Sequence, residues 1–166
     1  MSAASILVSR PAAEVFSFIS TPENDPLWVR GCAANQRVKD EPIRVGSRVV
    51  EQLSYLGTRL LYEWEVTQLE PRRLITYSSR RGLVPMVITI AVRADGSATE
   101  VTLDIHLGLP RLVPFGAALG RLVGRRQARR NLADLRSHLE PFRPGVGVPP
   151  SRRASSRPAS SPPLSP

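Results

Sequence analysis

The sequence predicts an α+β domain in which a curved antiparallel sheet of about seven strands wraps round one long C-terminal helix. Three observations lead there. Between residues 33 and 107 apolar residues recur in short segments, most with a period of two, as half-buried strands require. The breaks between these segments are short and carry Gly, Pro or Asp-Gly, so consecutive strands pair as an antiparallel meander. A single long helical stretch, about residues 114 to 139, follows them, and the sheet must bury its apolar face against it.

Taken in order, residues 5–8 form a short apolar run that reads as a strand, broken by Arg10-Pro11. Pro suits a first helical turn and Glu14 lies where the helix dipole favours an acid. Val15, Phe16, Phe18 and Ile19 follow at helical spacing, so residues 11–20 read as a short helix. Thr21-Pro22-Glu23-Asn24 begins a second one, of one or two turns, reaching Trp28. Strands are expected over 33–40 and 45–55, the latter with Val49, Glu51, Leu53 and Tyr55 on one face. Leu56-Gly57-Thr58 is a hairpin turn into 59–69, where Leu60, Tyr62, Trp64 and Val66 share a face. Further strands are expected over 74–79 and 85–93. Asp95-Gly96 is a tight hairpin signal before 99–107. In that last strand Val101, Leu103, Ile105 and Leu107 face in, whereas Glu100, Thr102, Asp104 and His106 face out.

Composition limits the functional classes. Hydrophobic residues at 42% can supply an ordinary core, and no apolar run is long enough to span a bilayer. The opening MSAASILVSR lacks a basic leader, so no secretory signal is expected and the cytoplasm is the default compartment. Cys32 is alone, and only His106 and His138 could join it, so no disulfide and no metal centre are expected. All basic residues except Lys39 are arginines, and of the formal charge of +9, +4 sits in residues 141–166. That segment is Pro, Ser, Arg and Gly with nothing to bury, and reads as a disordered tail behind a domain of residues 1–140. Aromatics are 5% and not interleaved with the arginines, so nucleic acid is not an expected partner.

The long helix carries the functional expectation. At about 100° per residue, Ala128, Leu132, Leu135 and Leu139 share a core stripe. Extended backwards, it meets Ala117, Ala118, Arg121 and Arg125, which are small or basic, while Phe115, Leu119, Leu122 and Val123 lie on another side. Gly116, Gly120 and Gly124 form a further column, each costing roughly 1 kcal/mol against alanine in a helix interior. The reading is an internal cavity under the N-terminal half of the helix. The alternative is that the glycines let the backbone approach another element closely. A third reading has the apolar side and the arginines touching an acidic membrane surface.

These elements and several local motifs resemble one family over residues 1 to about 140. The pieces are Pro11-Ala12-Ala13-Glu14-Val15-Phe16-Ser17-Phe18-Ile19, Pro22-Glu23-Asn24 with Trp28, the turn glycines Gly46 and Gly57, Glu70-Pro71-Arg72-Arg73-Leu74, Asp95-Gly96 before Thr99, and Leu132, Leu135 and Leu139-Glu140. In that order and spacing they resemble the START-like (SRPBCC) superfamily, specifically its polyketide cyclase/dehydrase and lipid-transport family. The resemblance implies a helix-grip fold with an apolar cavity between sheet and last helix. It implies no single activity, since the superfamily spans carriers, sensors and cyclases.

No cofactor is expected: no phosphate-cradling loop or dinucleotide fingerprint occurs, and the helix glycines have the wrong spacing for one. No catalytic motif or acid/base pair is identifiable. Cyclase members of the family are thought to orient a flexible polyketide and polarise a carbonyl with Arg, Tyr or Trp groups. Candidate cavity residues are therefore Trp28, Tyr62, Trp64, Tyr77 and Arg121, with Leu103, Ile105, Ala117 and Gly124 as walls. The Pro-broken apolar loop with Leu109, Pro110, Leu112, Val113, Pro114 and Phe115 is the expected gate. Two functions follow: binding or transport of an apolar small molecule or lipid, or cyclase/dehydratase chemistry in the same cavity. Transient contact of the basic helix and tail with an acidic membrane is a third role, and oligomeric state is left open.

Overall fold

The computed structural model describes residues 3–55, 57–108 and 116–140. The expected gate loop (residues 109–115) and tail (residues 141–166) lie outside the described residues. Strand β1 (Ala4–Val8) is followed by helix α1 (Ala12–Ile19) and a 3-10 helix (Pro22–Leu27). Strands β2 (Cys32–Arg37), β3 (Arg48–Tyr55), β4 (Thr58–Glu70), β5 (Leu74–Arg81), β6 (Met86–Asp95) and β7 (Ala98–Leu107) come next, then helix α2 (Gly116–Leu139).

The seven strands form one antiparallel sheet in the order β1-β7-β6-β5-β4-β3-β2. β2 to β7 run as a meander, and β1 closes onto β7. Two hairpins are tight because glycine takes the left-handed conformation: Gly57 (φ +78°) between β3 and β4, and Gly96 (φ +61°) between β6 and β7. Register shifts at Cys32/Ala34, Glu63/Trp64 and Val66/Gln68 are bulge-like irregularities, which bend strands and help the sheet curl.

The concave face buries the inward residues of alternate positions, including Val66, Ile75, Ile90, Val101 and Leu103. Helix α2 covers this face, with Ala128, Leu132, Leu135 and Leu139 in the main core. Its end is tied to β1: Arg10 Nε donates to the Leu139 carbonyl at 2.9 Å, and Glu140 accepts from the Ser9 amide. At the other side of the sheet, Cys32, Val49, Leu53, Tyr62 and Trp64 form a second apolar cluster.

One sequence expectation about α2 is corrected. The buried stripe running back from Ala128 is Gly124, Gly120 and Gly116, while Ala117, Ala118, Arg121 and Arg125 are exposed. The helix meets the curled sheet along its i−4 row, which is inclined to the helix axis, instead of along the straight face that 100° steps trace. Gly124 sits so close to β7 that an added Cβ would overlap the Ile105 carbonyl oxygen. The glycine there serves close backbone approach, and no hollow lies beneath it. The outer side of this half of α2 exposes Leu119, Leu122 (67%) and Val123 beside the arginines. No described helix is long and apolar enough to cross a membrane.

Candidate functional site

A cavity of about 50 Å³, partly open to solvent, lies between the concave sheet, the 3-10 helix and the middle of α2. One water needs roughly 10–15 Å³ on a comparable measure, so the space takes a small chemical group. A larger hollow of about 390 Å³ is a groove near Arg37, Lys39 and Arg44, lined mostly by exposed residues outside the sheet–helix interior. We place the site at the sheet–helix cavity because it combines apolar walls with buried polar groups.

Strand register builds the polar end. Pairing of β2 with β3 sets Asn35 opposite Glu51, and pairing of β3 with β4 sets Glu51 opposite Tyr62 and Val49 opposite Trp64. Glu51 shares the inward parity of Val49 and Leu53, so its carboxyl is carried into the interior, where the residue is 5% exposed. It accepts the Trp64 indole Nε1–H at 2.8 Å. Burial pushes its pKa up, opposed by hydrogen bonds from Trp64 and from the Cys32 thiol.

The 3-10 helix supplies the second carboxyl. Asp25 accepts the Trp28 indole Nε1–H at 3.1 Å on Oδ1 and the Asn35 amide Nδ2–H at 2.6 Å on Oδ2. Its backbone lies on an outer turn while the carboxyl points into the cavity lining. Burial raises its pKa from 3.8 to about 8, and the neighbouring charges of Glu51 and Glu23 act in the same direction. Asn35 is 6% exposed, and its Oδ1 has no hydrogen-bond partner. On α2, buried Asn131 accepts from the Arg30 backbone amide at 3.1 Å and from Gln127 Nε2 at 3.1 Å. This fastens the segment after the 3-10 helix to α2. The opposite end of the cavity is apolar: Ile88 and Ile90 from β6, and Leu103 and Ile105 from β7.

Among the expected site residues, Trp28, Trp64, Tyr77, Leu103 and Ile105 line this cavity. Burial pushes the Tyr77 phenol pKa up. Tyr62 is buried beside it, stacked on Trp64 at 5.4 Å between ring centroids, with its hydroxyl accepting from the Val84 amide. Ala117 and Arg121 point to solvent, so neither is a wall, and Gly124 is packed on β7. The gate residues lie outside the described residues. No acid/base pair is identifiable in the sequence; the fold brings two carboxyls, Asp25 and Glu51, to one cavity. An acid at an inward position, Glu51 between Val49 and Leu53, was the available sequence signal. Asp25 gave none, since an acid in an N-terminal turn is ordinary. Among the described residues no cluster of His, Cys, Asp and Glu is arranged to hold a metal.

A curled antiparallel sheet gripping a C-terminal helix, with a cavity between them, defines a helix-grip protein of the START type. The chain belongs to the polyketide cyclase/dehydrase and lipid transport family, whose sequence pattern matches residues 2–140. Several solved structures share the fold. A START superfamily protein from Mycobacterium smegmatis aligns with TM-score 0.65 at 16% identity, covering 82% of this chain and 94% of that one. The major latex-like protein 151 of Panax ginseng aligns with TM-score 0.63 at 17% identity, covering 84% and 96%. The di-domain ARO/CYC protein BexL of the BE-7585A biosynthetic pathway aligns with TM-score 0.65 at 20% identity, covering 81% of this chain and 44% of that one. At these identities the likeness is one of fold. No curated protein matches the chain in sequence. The family is one of polyketide cyclases, dehydrases and lipid-transport proteins, which supports hydrophobic-ligand binding or cyclase roles in general terms.

Proposed function

We propose that this chain binds or carries a largely apolar small molecule in the cavity between the sheet and α2. The observation that carries this reading is the two-ended lining, apolar on β6 and β7 and polar on β2, β3 and the 3-10 helix. An apolar wall supplies affinity through burial, and a few placed polar groups set orientation. The volume limits the guest in this conformation to a small group. A lipid-sized guest requires lining side chains to move apart. Native mass spectrometry of the chain purified from its own host tests the reading. A co-purifying small molecule, lost in an Ile88→Trp variant that fills the cavity, is the expected result; wild-type protein carrying no guest counts against it.

Cyclase or dehydratase chemistry in the same cavity is the second reading, and Asp25 favours it. A buried carboxyl that keeps its proton near neutrality can donate it to a carbonyl or to a departing hydroxyl. Incubation with a synthetic poly-β-ketone thioester, followed by mass analysis for dehydrated product, tests it. Asp25→Asn should abolish turnover, and equal turnover in that variant would rule out the role.

The exposed Leu119, Leu122 and Val123 beside Arg121 and Arg125 support a separate proposal, transient contact with an acidic membrane. Flotation with anionic but not with neutral liposomes, lost in Leu122→Asp, is the expected outcome.

A further inference from the structure

We propose that the polar end of the cavity is a receptor for an organic ammonium group, so that the guest is an amine with an apolar body. This deepens the small-molecule reading above and rests on it.

Four features converge on that chemistry. First, two carboxyl groups, Asp25 and Glu51, reach one cavity from different elements. Second, each is held by two donors: Asp25 by Trp28 and Asn35, and Glu51 by Trp64 and Cys32. Such donors favour the ionised form, and burial without a counter-charge opposes it. Third, Asn35 Oδ1 is a buried acceptor with no partner, beside the same carboxyls. An ammonium carries only donors and supplies both missing elements, the positive charge and the hydrogen for Asn35. Fourth, the aromatic side chains of Trp28, Trp64 and Tyr77 line the space, and an aromatic lining accommodates the apolar body next to an ammonium group.

The basic residues nearest in sequence are engaged elsewhere. Arg30 pairs with Asp134 at 2.5 Å, and Arg37 pairs with Glu23 at 2.8 Å. The titratable groups facing Asp25 are Glu23 on its own helix, Cys32 on β2, Glu51 on β3 and Tyr77 on β5. None of these is a cation. A guest anion would meet two acids, whereas a neutral alcohol would satisfy Asn35 but could not stabilise the carboxylates as they ionise.

Binding is coupled to a proton. Near neutrality Asp25 holds one, and it passes to solvent as the ammonium enters. Affinity for an amine therefore rises with pH until the amine itself deprotonates, near the ordinary alkylammonium value of about 10.4.

Hexylamine, 1-hexanol and hexanoate form a matched probe set of one chain length and three head groups. The chain's two tryptophans, Trp28 and Trp64, both line the cavity, so intrinsic fluorescence reports occupancy. Hexylamine should bind at least about tenfold more tightly than 1-hexanol, with hexanoate weakest, and the amine affinity should rise about a hundredfold from pH 6 to pH 9. Asp25→Asn should remove both the amine preference and the pH dependence while leaving 1-hexanol binding intact; Glu51→Gln should reduce the preference in the same direction. Equal or tighter binding of 1-hexanol by the wild-type chain overturns the ammonium assignment and leaves the cavity reading standing. Binding of none of the three overturns both. The wild-type comparison decides the matter even where a variant fails to fold.

Discussion

The Asn35 amide donates to Asp25 Oδ2 at 2.6 Å, joining the start of the sheet to the 3-10 helix. This bond holds an inward carboxyl against the cavity and leaves the other amide atom, Oδ1, without a partner. The polar end of the site is thus built from β2, β3 and a single outer turn, clamped to α2 through Asn131.

Stability should fall as pH rises from about 4 to about 8. Asp25 has its folded pKa raised from 3.8 to about 8, so across that window the folded chain holds a proton that the unfolded chain has lost. Its contribution is complete below the unfolded value and is lost as pH rises through the folded one. The slope approaches about 1.4 kcal/mol per pH unit at its steepest. Glu51, also raised by burial, adds in the same direction. Urea unfolding from pH 5 to pH 9 should show this decline, and Asp25→Asn should flatten it. A wild-type chain that gains stability across the window contradicts the assignment.

Glu51→Ala and Glu51→Gln should differ in sign. The alanine variant leaves the buried Trp64 indole N–H without its acceptor and should cost about 1–3 kcal/mol. The glutamine variant keeps an acceptor oxygen and removes a buried acid, so it should match or exceed the wild type at pH 8. Chemical denaturation of both variants reads the contrast.

Cys32 should be inert in the native chain. Its thiol pKa is pushed up by burial first, and then by the negative charges of Glu51 and Asp25. Iodoacetamide at pH 8 should label it only after denaturation, as intact mass would show. Rapid native labelling would mean that the cluster is open to solvent.

Gly124→Ala should destabilise despite alanine's better helix propensity. Propensity alone favours alanine by about 1 kcal/mol, but the added Cβ meets the Ile105 carbonyl, and overpacking of this kind costs about 1–3 kcal/mol or more. Because the obstacle is backbone, α2 must shift from β7. A lowered thermal midpoint is the expected outcome, and an unchanged or raised one would show that the contact yields.

Period-two alternation located the strands, Asp95-Gly96 located a hairpin, and the leucines at the end of α2 located the core. Each of these signals is local, arising from side-chain periodicity and turn chemistry within a few residues. Boundaries moved only by a few residues, as for β2, expected over 33–40 and found at Cys32–Arg37. The resemblance over residues 1–140 likewise rested on short motifs in order, and the family's match spans residues 2–140.

The site was much less legible. Trp28, Trp64 and Tyr77 could be named as cavity candidates because aromatics on inward faces are visible in the pattern. The meeting of Asp25, Asn35 and Glu51 could not, because it depends on the β2–β3 register and on the curl that brings the 3-10 helix over the sheet. The position of the hollow under α2 also depended on assembly. The helix crosses the sheet along its glycine row and closes its front end against β7, so the open volume lies further along, near Asn131. Local sequence decides which face of an element is apolar. Only the tertiary crossing angle and strand register decide which polar groups share an interior, since those groups lie far apart in the chain and no periodicity links them.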